Sequence, residues 1–163
     1  MHRCAASVVL SLSVWTGAAT VADACSCSSI GSGRPCYECY KALFLGKVVV
    51  LNEIDVSDGH VSRRQRVVGF LVERVWKGPR VAIQTVYTGL GGPDCGFAFE
   101  IGKRYLVSAG EGAPYFKEPF GKQDQTLLTG VCSETALAED AVAAIKSLDE
   151  NYRAWRPRWQ IVQ

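Results

Sequence analysis

Four cysteines stand within residues 25–39: Cys25, Cys27, Cys36 and Cys39. Cysteines at this density support three kinds of chemistry. A thiolate quartet suits a tetrahedral structural zinc. Cys36-Tyr37-Glu38-Cys39 is a C-x-x-C, which in a redox centre opens a helix that follows a strand. Oxidised pairs would instead cross-link the chain. The segment precedes the first β-prone run, the wrong order for a redox helix, and an exported chain favours disulfides over zinc.

His60 is the one histidine after residue 24, in the polar stretch 57–64. As a base it would serve a cysteine or serine nucleophile. The plain alternative is a solvated loop histidine. No serine lies in a nucleophile-elbow phrase. Gly89-Leu90-Gly91-Gly92 lacks the lysine and following helix of a phosphate loop, so it reads as a flexible strand connection. No catalytic residue, metal or cofactor of the chain's own is assigned, and an enzyme is not expected.

The place of the cysteines in the chain adds a further chemistry. Arg3 supplies a positive n-region, residues 5–15 an apolar h-region, and Ala22-Asp23-Ala24 an A-x-A cleavage site. Residues 1–24 therefore read as a signal peptide; the apolar run is too short for a membrane anchor. Lipoprotein signals place a bulky aliphatic residue three before the cysteine, where this chain has Ala22, so lipid anchoring at Cys25 is the weaker reading. Cleavage after Ala24 makes Cys25 the N-terminus and removes Cys4. Six cysteines remain, an even count that implies disulfides without fixing their connectivity. The freed amine titrates near ~8. Deprotonated, it is a zinc ligand, with the Cys25 carbonyl one chelate ring away. If Cys25 and Cys27 are both cross-linked, Cys25-Ser26-Cys27-Ser28 is held rigid and loses little entropy on binding. Such a terminus could fill the open position of another protein's catalytic zinc. The alternative is that both cysteines only staple the terminus to the fold.

These residues need a frame. At 163 residues the chain suits one domain, and 48% apolar with 21% charged residues excludes a disordered chain. A formal net charge of +2 gives no general attraction to nucleic acid or anionic membrane. Leu43–Leu51, Arg66–Trp76, Val81–Thr88, Cys95–Glu100 and Arg104–Ala109 read as strands. Asp58-Gly59 signals a hairpin, and residues 110–125 form a long loop. Ser133–Glu150 reads as a helix with Leu137, Ala141, Ala144, Ile145 and Leu148 on one face. Ser133 or Thr135 can cap it, and acids gather in its first turns. Strands followed by one helix, without alternation, favour a small antiparallel barrel. The tail 151–163 is basic and aromatic, and its Trp155 and Trp159 either pack on the barrel or serve a partner.

Several phrases together resemble the tissue inhibitors of metalloproteinases and the wider netrin-like module. They are Cys25-Ser26-Cys27-Ser28 after a signal peptide, Leu43-Phe-Leu-Gly-Lys-Val-Val-Val50, Val75-Trp-Lys-Gly78, Asp94-Cys95-Gly96-Phe97, Lys103-Arg-Tyr-Leu-Val107 and Gly130-Val-Cys132-Ser133. The resemblance spans residues 25–145 and implies a mainly β fold, a five-stranded OB-like closed barrel with a C-terminal helix over residues 25–150. It implies the disulfides Cys25–Cys95 and Cys27–Cys132, which leaves Cys36 and Cys39 to pair locally. The separate C-terminal subdomain of the family is absent. The implied mechanism is chelation of a target's zinc by the Cys25 amine and carbonyl. Ser26 would point into the pocket beside the metal, with Cys27 and Ser28 as further contacts, and Pro93 and Asp94 would form a second contact ridge. The implied partner is a zinc metalloendopeptidase met outside the cytoplasm, in a secreted or periplasmic setting. A netrin-like scaffold domain that binds without inhibiting is the alternative.

Overall fold

The computed structural model describes residues 25, 27, 35–57, 62–111 and 126–158. Residues 1–24, which the sequence reading takes as a signal peptide, lie outside the described residues, as do Ser26, Ser28, Asp58-Gly59, His60, most of residues 110–125 and Trp159. Among the described residues six strands and one α-helix follow in order: β1 Ala42–Ser57, β2 Ser62–Lys77, β3 Ile83–Thr88, β4 Arg104–Glu111, β5 Leu127–Leu128, β6 Ala136–Leu137 and α1 Val142–Asn151. The protein is mainly β, as its β-branched and aromatic runs require.

β1 and β2 pair antiparallel along their length, from Leu43↔Lys77 to Ser57↔Ser62. β1 also pairs with β4, Ala42↔Ala109 through Lys47↔Arg104. Three register shifts, the last at Val48/Val50, interrupt the β1–β2 ladder; such bulges bend a strand and let it serve two neighbours. β3 lies against β2, and β5 bridges β3 and β4. Hydrogen bonding thus runs β1–β2–β3–β5–β4 and back to β1. One pairing in this ring, Tyr87↔Leu128, is parallel; the others are antiparallel.

The apolar run at the start of β1 does not alternate because both of its faces are buried. Ala42, Phe44 and Val48 enter the main core with Val68, Phe70, Val72, Val86, Tyr105 and Val107. Leu43 and Leu45 face the other way, joining Trp76, Leu106, Ala141 and Leu148. In the main core Phe70 meets Phe44 and Phe99 edge-on at 5.4 and 5.2 Å, and Phe99 meets Tyr105 at 4.9 Å.

Two sequence expectations are corrected. Cys95–Glu100 is not a strand. Two of its donors go to side chains: Phe97 N–H to Thr88 Oγ1 at 2.8 Å and Glu100 N–H to Tyr105 Oη at 3.1 Å. That leaves the segment free to insert Phe99 into the core. The helix begins at Val142, not Ser133. Residues 133–137 are taken by better partners: the Thr135 hydroxyl accepts from Ser108 N–H at 3.0 Å, and Ala136–Leu137 pair with β4. Neither Ser133 nor Thr135 caps the helix; Ala141 holds the cap position without a side-chain bond, and the acids precede the helix. Leu137 packs on the main core from β6, while Ala141, Ala144, Ile145 and Leu148 keep the predicted face against the second cluster.

Polar contacts pin α1. Trp76 Nε1–H donates to Asp149 Oδ1 at 2.9 Å, and Arg74 pairs with the same carboxylate. Beyond the helix, Trp155 forms a single antiparallel bridge with Val75, donating at 2.7 Å and accepting at 2.8 Å. Trp155 also packs against the main core.

Phe70 is fully buried whereas Val142 is 63% exposed. Phe70→Ala should cost about 3–5 kcal/mol and Val142→Ala about 0.5 kcal/mol or less, read from urea unfolding midpoints. Equal effects would contradict this assignment of the core.

Candidate functional site

The three disulfides are Cys25–Cys95, Cys27–Cys132 and Cys36–Cys39. The first two are the pairs that the family resemblance implies, and the third is the local pair left over. All four cysteines of residues 25–39 are therefore oxidised, and none is a thiolate. Cys36–Cys39 closes a short 3-10 turn that leads into β1 rather than following a strand. Three disulfides suit an oxidising, extracytoplasmic compartment. Among the described residues no helix is long and apolar enough to cross a membrane.

Two turns receive the first two cysteines. Cys95 closes the 3-10 turn Gly92–Asp94 and is itself left-handed, with φ of 56°. Cys132 lies in the turn after Gly130. Val131 N–H donates to the Cys95 carbonyl at 2.9 Å, so the two turns are directly joined. The contact needs Gly130, where a Cβ would stand 2.6 Å from that carbonyl oxygen. It also needs Gly96, where a Cβ would stand 2.2 Å from the Gly89 carbonyl. Cys25 Sγ lies 3.2 Å from the Gly92 carbonyl oxygen, against the turn that carries Pro93 and Asp94.

Asp94 shapes that turn. Its carboxylate accepts from Leu90 N–H at 2.6 Å, Gly91 N–H at 2.9 Å and Gly96 N–H at 3.1 Å. Partial desolvation pushes its carboxyl pKa up. The N–H donors of Leu90, Gly96 and Gly91 outweigh this and hold it below the usual value. The glycine-rich stretch 89–92 is therefore not a slack connection; its amides are folded around a carboxylate. Pro93 stands exposed on the same turn.

A hydroxyl network supports the second receiving turn. Thr129 Oγ1 lies 2.8 Å from both Ser133 Oγ and Thr135 Oγ1, and 2.9 Å from the Ser108 carbonyl to which it donates. Ser133 Oγ donates to the Gly130 carbonyl at 2.8 Å. Tyr40 Oη accepts from Glu134 N–H at 3.1 Å. Sequence reading missed this network. Its signal was three hydroxyl residues, Thr129, Ser133 and Thr135, around one cysteine, a pattern equally at home in a helix cap.

The structure therefore gathers Cys25, Cys27, Pro93, Asp94, Cys95 and Cys132 around one pair of turns. Ser26, Ser28 and His60 lie outside the described residues. Among the described residues no cluster of three or more histidine, cysteine or acidic side chains could hold a metal ion. No protein-family model and no curated protein matches the chain.

The folded pKa of Asp94 lies below its unfolded value. Its stabilising contribution is thus present in full above the ordinary carboxylate range and is lost as pH falls through the depressed value. Asp94→Asn should lower the melting temperature at neutral pH, and the two melting curves should converge in acid. A gap that stays constant with pH would show that the charge is irrelevant. Gly96→Ala should cost roughly 1–3 kcal/mol, because the added methyl meets backbone rather than a flexible side chain.

Proposed function

We propose that the mature protein is an exported domain of the tissue-inhibitor-of-metalloproteinases type. It blocks a zinc endopeptidase by presenting the Cys25 amine and carbonyl to the target's catalytic zinc. The observation that carries this reading is the joining of the two receiving turns by the Val131–Cys95 hydrogen bond. Both cysteines of the C-x-C are tied to neighbouring points of the frame, at Cα separations of 5.5 and 5.2 Å from their partners. A segment held at both ends has little freedom left to lose on binding.

The strand ring supports the same reading. Five strands closing in the order β1–β2–β3–β5–β4, with β5 between β3 and β4, fit an OB-like Greek-key barrel. We read α1 as the helix that follows this barrel in the netrin-like module.

In the mechanism, cleavage after Ala24 exposes the amine. The neutral amine and the carbonyl of Cys25 bind the target zinc together and displace its water. Ser26 enters the pocket beside the metal, and Cys27 and Ser28 continue along the substrate groove. Pro93 supplies the second ridge; Asp94 keeps that ridge in shape, its carboxylate being engaged by loop amides. The chain contributes no metal of its own.

Two predictions test the proposal against a panel of zinc endopeptidases. One alanine added before Cys25 moves the amine away from the metal without touching the disulfides, and should abolish inhibition. Equal inhibition by mature and extended forms would refute chelation. Inhibition by neither form would favour a netrin-like scaffold domain that binds without inhibiting. Only the neutral amine binds zinc, so inhibition should also weaken as pH falls below ~7. Potency that is flat across that range would count against the amine.

A further inference from the structure

A cavity of about 370 Å³ opens beside the tail, lined by Arg80, Arg153, Ala154, Trp155 and Arg156. Three of its five lining residues are arginines, all exposed. Among the described residues none of the three has an ion pair, whereas eight other pairings engage Lys41, Arg64, Arg66, Arg74, Lys77, Arg104 and Lys146. The whole chain carries a formal net charge of only +2. Three guanidinium groups in one concavity, unpaired among the described residues, are therefore a local concentration of charge and not a sign of general basicity.

The tail wall of the cavity is held in place. Trp155 is fixed by its two backbone hydrogen bonds to Val75, and the next proline, Pro157, is buried. Arg153 and Arg156 therefore project from a segment locked to β2. Arg80 follows the turn at Gly78-Pro79, which ends β2. A guanidinium presents planar paired donors that match the oxygens of a phosphate or sulfate. Ala154 and Trp155 add apolar surface for the body of a ligand.

We propose that this cavity binds a small soluble phosphate or sulfate ester, its oxyanion held by Arg80, Arg153 and Arg156. Size favours a small molecule over a polymer: the volume lies near the lower end of the ~300–1,000 Å³ typical of small-ligand sites. The site is separate from the disulfide-clamped terminus. Its bridge to β2 is at Val75, nine residues along the strand from Arg66, the partner of Thr88 that precedes the Gly89–Gly96 loop. Ligand binding here does not depend on protease inhibition.

The test is NMR titration of the mature protein, following arginine side-chain and tryptophan indole signals. The probes are inorganic phosphate, inorganic sulfate, a sugar phosphate and its unphosphorylated parent. Shifts should saturate at millimolar concentrations for the anions, at Arg80, Arg153, Arg156 and Trp155, and be absent with the neutral sugar. Replacing Arg153 or Arg156 with serine should weaken binding about ten-fold or more, as loss of a charge-assisted contact does. Lysine at the same position should restore only part of it. Arg63→Ser, on the exposed end of the β1–β2 hairpin, should change nothing. Unsaturating shifts spread equally over Arg63 and Arg64 would reduce the effect to ionic strength and overturn the proposal. So would binding to phosphatidylglycerol vesicles without any response to soluble anions. Folding of each variant is checked by its melting temperature, and a serine variant that melts like the parent and binds like the parent also overturns it.

Discussion

One backbone hydrogen bond, from Val131 N–H to the Cys95 carbonyl, joins the turns that receive the N-terminal cysteines. Much depends on it. It requires glycine at 130, because any side chain there would meet the Cys95 carbonyl. It requires Cys95 to be left-handed, a conformation that costs a cysteine about 1 kcal/mol or more and persists only where its surroundings impose it. The surroundings here are the Asp94 carboxylate, which gathers the amides of Leu90, Gly91 and Gly96 on either side of that residue. A short loop closed on a carboxylate thus sets the direction of a disulfide, and that disulfide ties down Cys25, 70 residues earlier in the chain.

The hydrophobic frame serves the same end through β1. Because Phe44 and Leu43 point into different clusters, the strand is held from both sides and cannot slip by one residue without exchanging its two faces. β4 is divided in the same way: Tyr105 and Val107 enter one core, Leu106 the other, and Ser108 meets the hydroxyl network at Thr135. The position of the Cys132 turn therefore follows from the register of β4 against β1. Packing and polar satisfaction agree on one placement, which is what lets a domain this small specify a single site.

The strands with long apolar runs were legible in the sequence, because periodicity and β-branching report burial directly. β1, β2, β3 and β4 lie where those runs predict, with ends displaced by a few residues. The failures share one cause. Residues 95–100 and 133–137 have local propensities for strand and helix, yet backbone donors and side chains of theirs are claimed by partners outside their own segments: Thr88, Tyr105 and Ser108. Propensity cannot see such partners. The disulfide pairs were likewise beyond spacing alone: Cys25–Cys95 and Cys27–Cys132 were named through the family resemblance, and Cys36–Cys39 was the pair left over. Asp94 was named only through the resemblance, as part of a contact ridge, and the inward use of its carboxylate depends on three amides that only the folded loop aligns.

The cross-links differ in what they can contribute. Bonds at sequence separations of 70 and 105 close long loops, and on the chain-entropy model each stabilises the fold by about 4–5 kcal/mol. Cys36–Cys39, at a separation of 3, removes little freedom from the unfolded chain. Its turn is held by other means. The Lys77 ammonium donates to the Glu38 carbonyl at 2.7 Å, and the Tyr152 hydroxyl donates to the Glu38 carboxylate at 2.7 Å. That carboxylate is held below its usual pKa, first by the tyrosine and then by the charge of Lys77. Tyr152 is the first residue beyond α1, and Trp155 bridges to β2 three residues later. One short stretch of tail therefore connects the cysteine turn, the helix and the sheet. Distant segments are thus joined in two ways, by disulfides at separations of 70 and 105 and by the Tyr152–Glu38 hydrogen bond across a still longer span of chain.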